Sequence, residues 1–81
     1  MEDLKILQAT LLGHIESQFQ NGTFDLLRKM FFIQKINKCF EEMDEEFIYY
    51  DLYDLLSEQE ELNNLLTPYL PVWFKNKITN I

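Results

Sequence analysis

One histidine, His14, one cysteine, Cys39, and two serines, Ser17 and Ser57, are the side chains with which this 81-residue chain could do nucleophilic or metal chemistry. A nucleophile needs a base within hydrogen-bond reach, and no spacing here sets His14 beside Cys39 or either serine. A structural zinc site takes four ligands, and His14 with Cys39 supplies two. Carboxylates are plentiful, but as general acids or bases they need a pocket, and here they crowd a helix surface. No glycine-rich loop is present to cradle a phosphate. The acidic run also lacks the ligand spacing and central glycine of a calcium loop. The chain therefore reads as non-enzymatic, with no metal or cofactor. His14 continues the Leu4, Leu7, Leu11 stripe and is expected either half-buried or at a helix–helix contact. Cys39 is expected as a buried, inert thiol.

The chemistry that remains is recognition. The stretch EEMDEEFIYYDLYDLLSEQEEL, residues 41 to 62, holds ten carboxylates, no Lys or Arg, three tyrosines and a phenylalanine. On a helix at 100° per residue, Ile48, Leu52, Leu55 and Leu56 share one arc wide enough to bury. Phe47, Tyr50, Asp51 and Asp54 then fall on the opposite side, with Tyr53 beside them. Aromatic rings on an acidic outer face suit binding. Tyrosine offers a large contact area at low entropy cost and is enriched in hot spots. Carboxylates around it steer a basic partner toward the ring.

The positioning elements follow from apolar spacing and punctuation. Two glycines and two prolines interrupt a pattern that is helical throughout. The expected fold is all-α, a small compact bundle of four to five helices in a single domain, residues 1–81. Leu4, Leu7, Leu11, Ile15 and Phe19 mark the first helix, closed by Asn21-Gly22. A second helix is expected from about Phe24 to Met43, capped by Thr23. Its apolar residues divide between Leu26, Leu27, Met30, Phe31 on one side and Phe32, Ile33, Ile36, Cys39, Phe40, Met43 on another. Such a helix is either central or bent near Phe31. Asp44 caps the third helix, with Glu45 and Glu46 in its first turn. Ser57-x-x-Glu60 has the form of a capping box, which starts a fourth helix near Glu58. Thr67-Pro68 ends that helix and can begin a last short one. Leu70, Trp73, Phe74 and Ile78 are expected to pack back on the bundle.

Charge narrows the partner. The net charge is −7. Residues 39–74 carry ten negative charges and no positive one, while residues 1–38 carry five positive and four negative. Direct binding to nucleic acid or an anionic membrane surface is disfavoured, and a basic protein is the natural counterpart. No apolar run approaches the ~18 residues that span a bilayer. The MEDLKIL start lacks the form of a signal peptide. A single cysteine fits a reducing, cytoplasmic setting.

Phe40-Glu41-Glu42-Met43 followed by Ile48-Tyr49-Tyr50 resembles the end of helix II and the short helix III of the colicin nuclease immunity proteins. These are small acidic four-helix proteins that bind and block a bacteriocin's DNase domain. The resemblance implies that Tyr49, Tyr50, Glu41 and Glu42 form an inhibitory surface. Together with the helical reading, the expected partner-binding set is Glu41, Glu42, Glu45, Glu46, Tyr49, Tyr50, Asp51, Tyr53 and Asp54. The expected function is occlusion of a basic, nucleic-acid-handling protein such as a nuclease, in the manner of an immunity protein, antitoxin or phage anti-defence protein, including the anti-CRISPR type. The alternative is a small chaperone or adaptor, of the type III secretion kind, binding through Phe31, Phe32 and the divided face of the second helix. The chain is expected as a monomer or homodimer.

Overall fold

A computed structural model describes residues 2 to 72 and residue 74. The elements are α1 (Glu2–Gln20), α2 (Leu26–Cys39), α3 (Glu45–Glu58), α4 (Glu60–Leu66) and a 3-10 turn, Thr67–Tyr69. Four helices and no strand among the described residues make the all-α bundle that the spacing predicts. Trp73 and Ile78 lie outside the described residues.

The α1 stripe Leu4, Leu7, Leu11 and Ile15 is buried, with Phe19 partly so. It meets Phe32, Ile36 and Cys39 of α2, while α3 contributes Ile48, Tyr49, Leu52, Leu55 and Leu56, and α4 adds Leu62 and Leu66. Leu70 and Phe74 fold back to close the core. All eighteen buried side chains among the described residues carry apolar or aromatic bodies, and no charged group lies among them. This is how so short a chain offsets its ordering entropy: nearly all buried area is apolar.

Connections are built from local hydrogen bonds. Gly22 takes φ +82°, which a residue without Cβ adopts freely. The Thr23 N–H then reaches the Gln18 carbonyl at 2.9 Å and the Gly22 N–H reaches Phe19 at 3.0 Å, the Schellman pair that satisfies the last carbonyls of α1. The Thr23 hydroxyl donates to Gln18 Oε1 at 2.7 Å, so Thr23 closes α1 and does not cap α2. The cap of α2 is Asp25, whose carboxylate accepts from the Arg28 N–H at 2.9 Å.

α2 is one uninterrupted helix and shorter than its apolar pattern suggests. It stops at Cys39, and Phe40 to Met43 form a turn that ends with Met43 at φ +48°. Phe40 remains 1% exposed although it lies outside the helix. A buried ring anchors this turn, so apolar spacing alone cannot separate it from helix. Asp44 caps α3 as expected, accepting from the Glu46 and Phe47 N–H groups at 3.0 and 3.3 Å. Asp44→Ala is expected to cost about 1 kcal/mol, measured as a shift of the urea midpoint. No shift would mean that water caps the helix equally well.

The Ser57 capping box does not form. α3 continues through Ser57 to Glu58, and Gln59, at φ −115° and ψ 89°, separates it from α4. Leu55 and Leu56 are still on the buried face there, so packing carries α3 past the local signal. The break at Gln59 redirects the chain so that α4 packs against α1. Two ion pairs tie α2 to its neighbours. Lys29 pairs with Glu16 of α1, and Arg28 pairs with Glu61 of α4 at 3.2 Å. The Lys29 hydrogen bond holds the Glu16 carboxyl below its usual range.

Candidate binding surface on α3

α3 is amphipathic in the sense its sequence predicts. Ile48, Leu52, Leu55 and Leu56 face the core, at 0 to 7% exposure. Phe47 and Tyr50 stand outward at 58% and 60%, and Tyr53 at 37%. Glu45, Glu46, Asp51 and Asp54 are exposed on the same helix, and Glu41 and Glu42 are exposed in the turn that precedes it. The ion pairs among the described residues are Arg28–Glu61 and Lys29–Glu16, so none of these carboxylates makes a direct ion pair with a described cation.

Tyr49 is placed differently from the other members of the expected set. It is 5% exposed and belongs to the core, so it cannot supply a broad contact face. Tyr49 follows Ile48 by 100° and falls at the edge of the buried arc beside Leu56, where the Phe74 ring meets it. Its ring instead supports the surface tyrosines. It lies 5.1 Å from the Tyr50 ring and 6.2 Å from the Tyr53 ring, and meets Phe74 edge-on at 5.4 Å. Burial, followed by the neighbouring Tyr53 and Tyr50 phenols, pushes the Tyr49 hydroxyl above its ordinary value.

Phe47 is the residue that the expected contact set omits. It is nearly as exposed as Tyr50 and stands one helical turn before it. Its outward position is legible from spacing, which sets it opposite the buried arc with Tyr50, Asp51 and Asp54.

A groove of about 260 Å³ runs between α2 and α3. Phe31, Lys35 and Lys38 line it from α2, and Asp51, Asp54 and Glu58 line it from α3. Lys35 sits over the Phe31 ring at 5.4 Å. Beyond the groove, Leu26, Leu27 and Met30 of α2 are exposed at 54%, 77% and 59%, on the side of the helix away from its core face. The divided apolar pattern of α2 is thus one buried face and one face open to solvent, in a helix without a break.

The remaining candidates are structural in their surroundings. His14 is half-buried and stacks on Tyr69, with ring centroids 3.5 Å apart and planes 19° apart. Cys39 is buried beneath the groove floor. Among the described residues no three His, Cys, Asp or Glu side chains are arranged to hold a metal ion. No helix among them is long and apolar enough to cross a membrane. Comparison with protein-family models, curated proteins and solved structures finds no match.

Proposed function

We propose that this chain is a small non-enzymatic inhibitor that binds a basic, nucleic-acid-handling protein and occludes its phosphate-binding surface. The observation that carries the reading is the outer face of α3, where Phe47, Tyr50 and Tyr53 are exposed among carboxylates that make no direct ion pair with a described cation. An exposed acidic block costs stability through self-repulsion, and exposed rings forgo burial. Both costs are offset when a basic surface covers the face. The rings then supply contact area and the carboxylates replace phosphate against the partner's Lys and Arg. Immunity proteins, antitoxins and phage anti-defence proteins, the anti-CRISPR type among them, work in this manner. The contact set is Glu41, Glu42, Glu45, Glu46, Phe47, Tyr50, Asp51, Tyr53 and Asp54, with Tyr49 as the support beneath. Binding requires no metal or cofactor.

The test is capture from source-cell lysate at low and high salt, comparing wild type with Asp51→Lys/Asp54→Lys. The reading expects a basic nucleic-acid enzyme that is released by salt and lost with the double reversal. A partner retained through both treatments overturns it. The second reading, a chaperone or adaptor, is favoured by the exposed Leu26, Leu27, Met30 and Phe31 face of α2. Binding by that face would persist at high salt.

A further inference from the structure

We propose that α2 and α3 together form a self-complementary surface through which two copies of this chain associate as a reversible two-fold dimer. The outer face of α2 is apolar and basic. It presents Leu26, Leu27, Met30 and Phe31 with Lys35 and Lys38, and α2 contains four basic residues and no acidic one. The outer face of α3 is aromatic and acidic, and α3 contains five acidic residues and no basic one. The two helices border one groove, lined by Phe31, Lys35 and Lys38 of α2 and by Asp51, Asp54 and Glu58 of α3. In a chain of net charge −7, the surface that fits α2 is an acidic one with exposed rings, and α3 of a second copy has that composition.

The geometry allows the contact to close. An isologous interface repeats the same patch on both subunits. A two-fold axis lying along the groove exchanges its walls, so that α2 of one copy covers α3 of the other, and the reverse. Rotation about such an axis preserves each residue's height along the groove. Lys35 and Lys38 already stand across the groove from Asp51 and Asp54 within one chain. The same residues therefore come opposite one another between chains, in register. An axis lying across the groove would instead set lysine on lysine and aspartate on aspartate. Charge thus selects one of the two ways to pair the patches. Each helix has 14 residues, so the paired strip is about 21 Å long. That is small for a permanent dimer and suits a reversible one.

The proposal does not rest on the inhibitor reading. If both hold, the second copy and a basic partner compete for the same carboxylates, and the dimer is a store from which the partner draws monomer.

Equilibrium sedimentation of the full chain tests the dimer. Wild type should be a concentration-dependent dimer whose dissociation constant rises about tenfold or more between about 50 mM and about 500 mM salt. Lys35→Glu/Lys38→Glu and Asp51→Lys/Asp54→Lys should each be monomeric, while circular dichroism shows that they remain folded. An equimolar mixture of the two should dimerise again, because both inter-chain contacts then pair opposite charges. All four substitutions on one chain should also restore the homodimer. This variant preserves the charge pairing across the groove within each chain and so controls for folding. A monomeric, folded wild type at millimolar concentration overturns the proposal. A dimer unaffected by either reversal, or a mixture that stays monomeric, overturns it equally.

Discussion

Phe40→Ala is expected to lower the free energy of unfolding by about 3–5 kcal/mol, while Tyr50→Ala shifts it by under about 0.5 kcal/mol. Both are aromatic truncations within one short stretch of chain, so the contrast isolates burial. Phe40 is 1% exposed and anchors the turn between α2 and α3. Removing its ring deletes buried area and leaves a cavity that a short turn cannot fill. Tyr50 is 60% exposed and loses little. A domain of this size has about 4–12 kcal/mol in total, so Phe40→Ala removes a large part of it. With roughly 4–8 °C of midpoint per kcal/mol, the melt should fall by about 12–40 °C. Thermal circular dichroism decides it. Similar losses for both variants would place Tyr50 in the core and remove the central ring from the proposed contact face. Read the other way, a partner complex lost on Tyr50→Ala with an unchanged melt identifies a contact residue rather than a folding defect.

Cys39 in the folded chain is expected to be alkylated about 100-fold more slowly at pH 8 than in denaturant. Burial, with the negative charge of Asp51 adding to it, pushes the thiol from 9.0 up to about 11. A rise of about two units leaves about a hundredth of the ordinary thiolate. The same shift makes stability fall at high pH. Folding favours the protonated thiol, so its contribution is complete below about pH 9 and is lost as pH rises through about 11. The loss is on the order of 3 kcal/mol. The Tyr49 hydroxyl is also raised, so the alkaline decline of wild type has to be compared with that of Cys39→Ala. The variant should decline less steeply between pH 9 and 11. Equal alkylation rates in native and denatured chain would show that the groove floor opens readily.

Much of this structure can be read from spacing because each helix carries a period that only one face satisfies. Leu4, Leu7, Leu11 and Ile15 determine the buried side of α1. Ile48, Leu52, Leu55 and Leu56 do the same for α3, and with it the outward placement of Phe47, Tyr50, Asp51 and Asp54. Capping is legible where one side chain has one plausible task. Asp44 caps α3 because its carboxylate reaches two free N–H groups and nothing competes for it. Asn21-Gly22 ends α1 because Gly22 takes a left-handed conformation.

Local signals failed where a residue had two possible partners and packing chose between them. Thr23 could have capped α2, but Gln18 holds its hydroxyl and Asp25 does the capping. Ser57 and Glu60 have the letters of a capping box, but Leu55 and Leu56 keep that turn inside α3. Tyr49 lies one residue from the exposed Tyr50, and its burial depends on Phe74, twenty-five residues away, folding back over it. The sequence by itself determined the fold class, the acidic character of α3 and its outward rings, since these depend on composition and period. Only the tertiary structure decided that the second apolar face of α2 stays open, that Tyr49 supports rather than contacts, and that α2 and α3 lie side by side as a basic and an acidic strip. Those outcomes depend on which faces meet, and period within one segment carries no information about its neighbour.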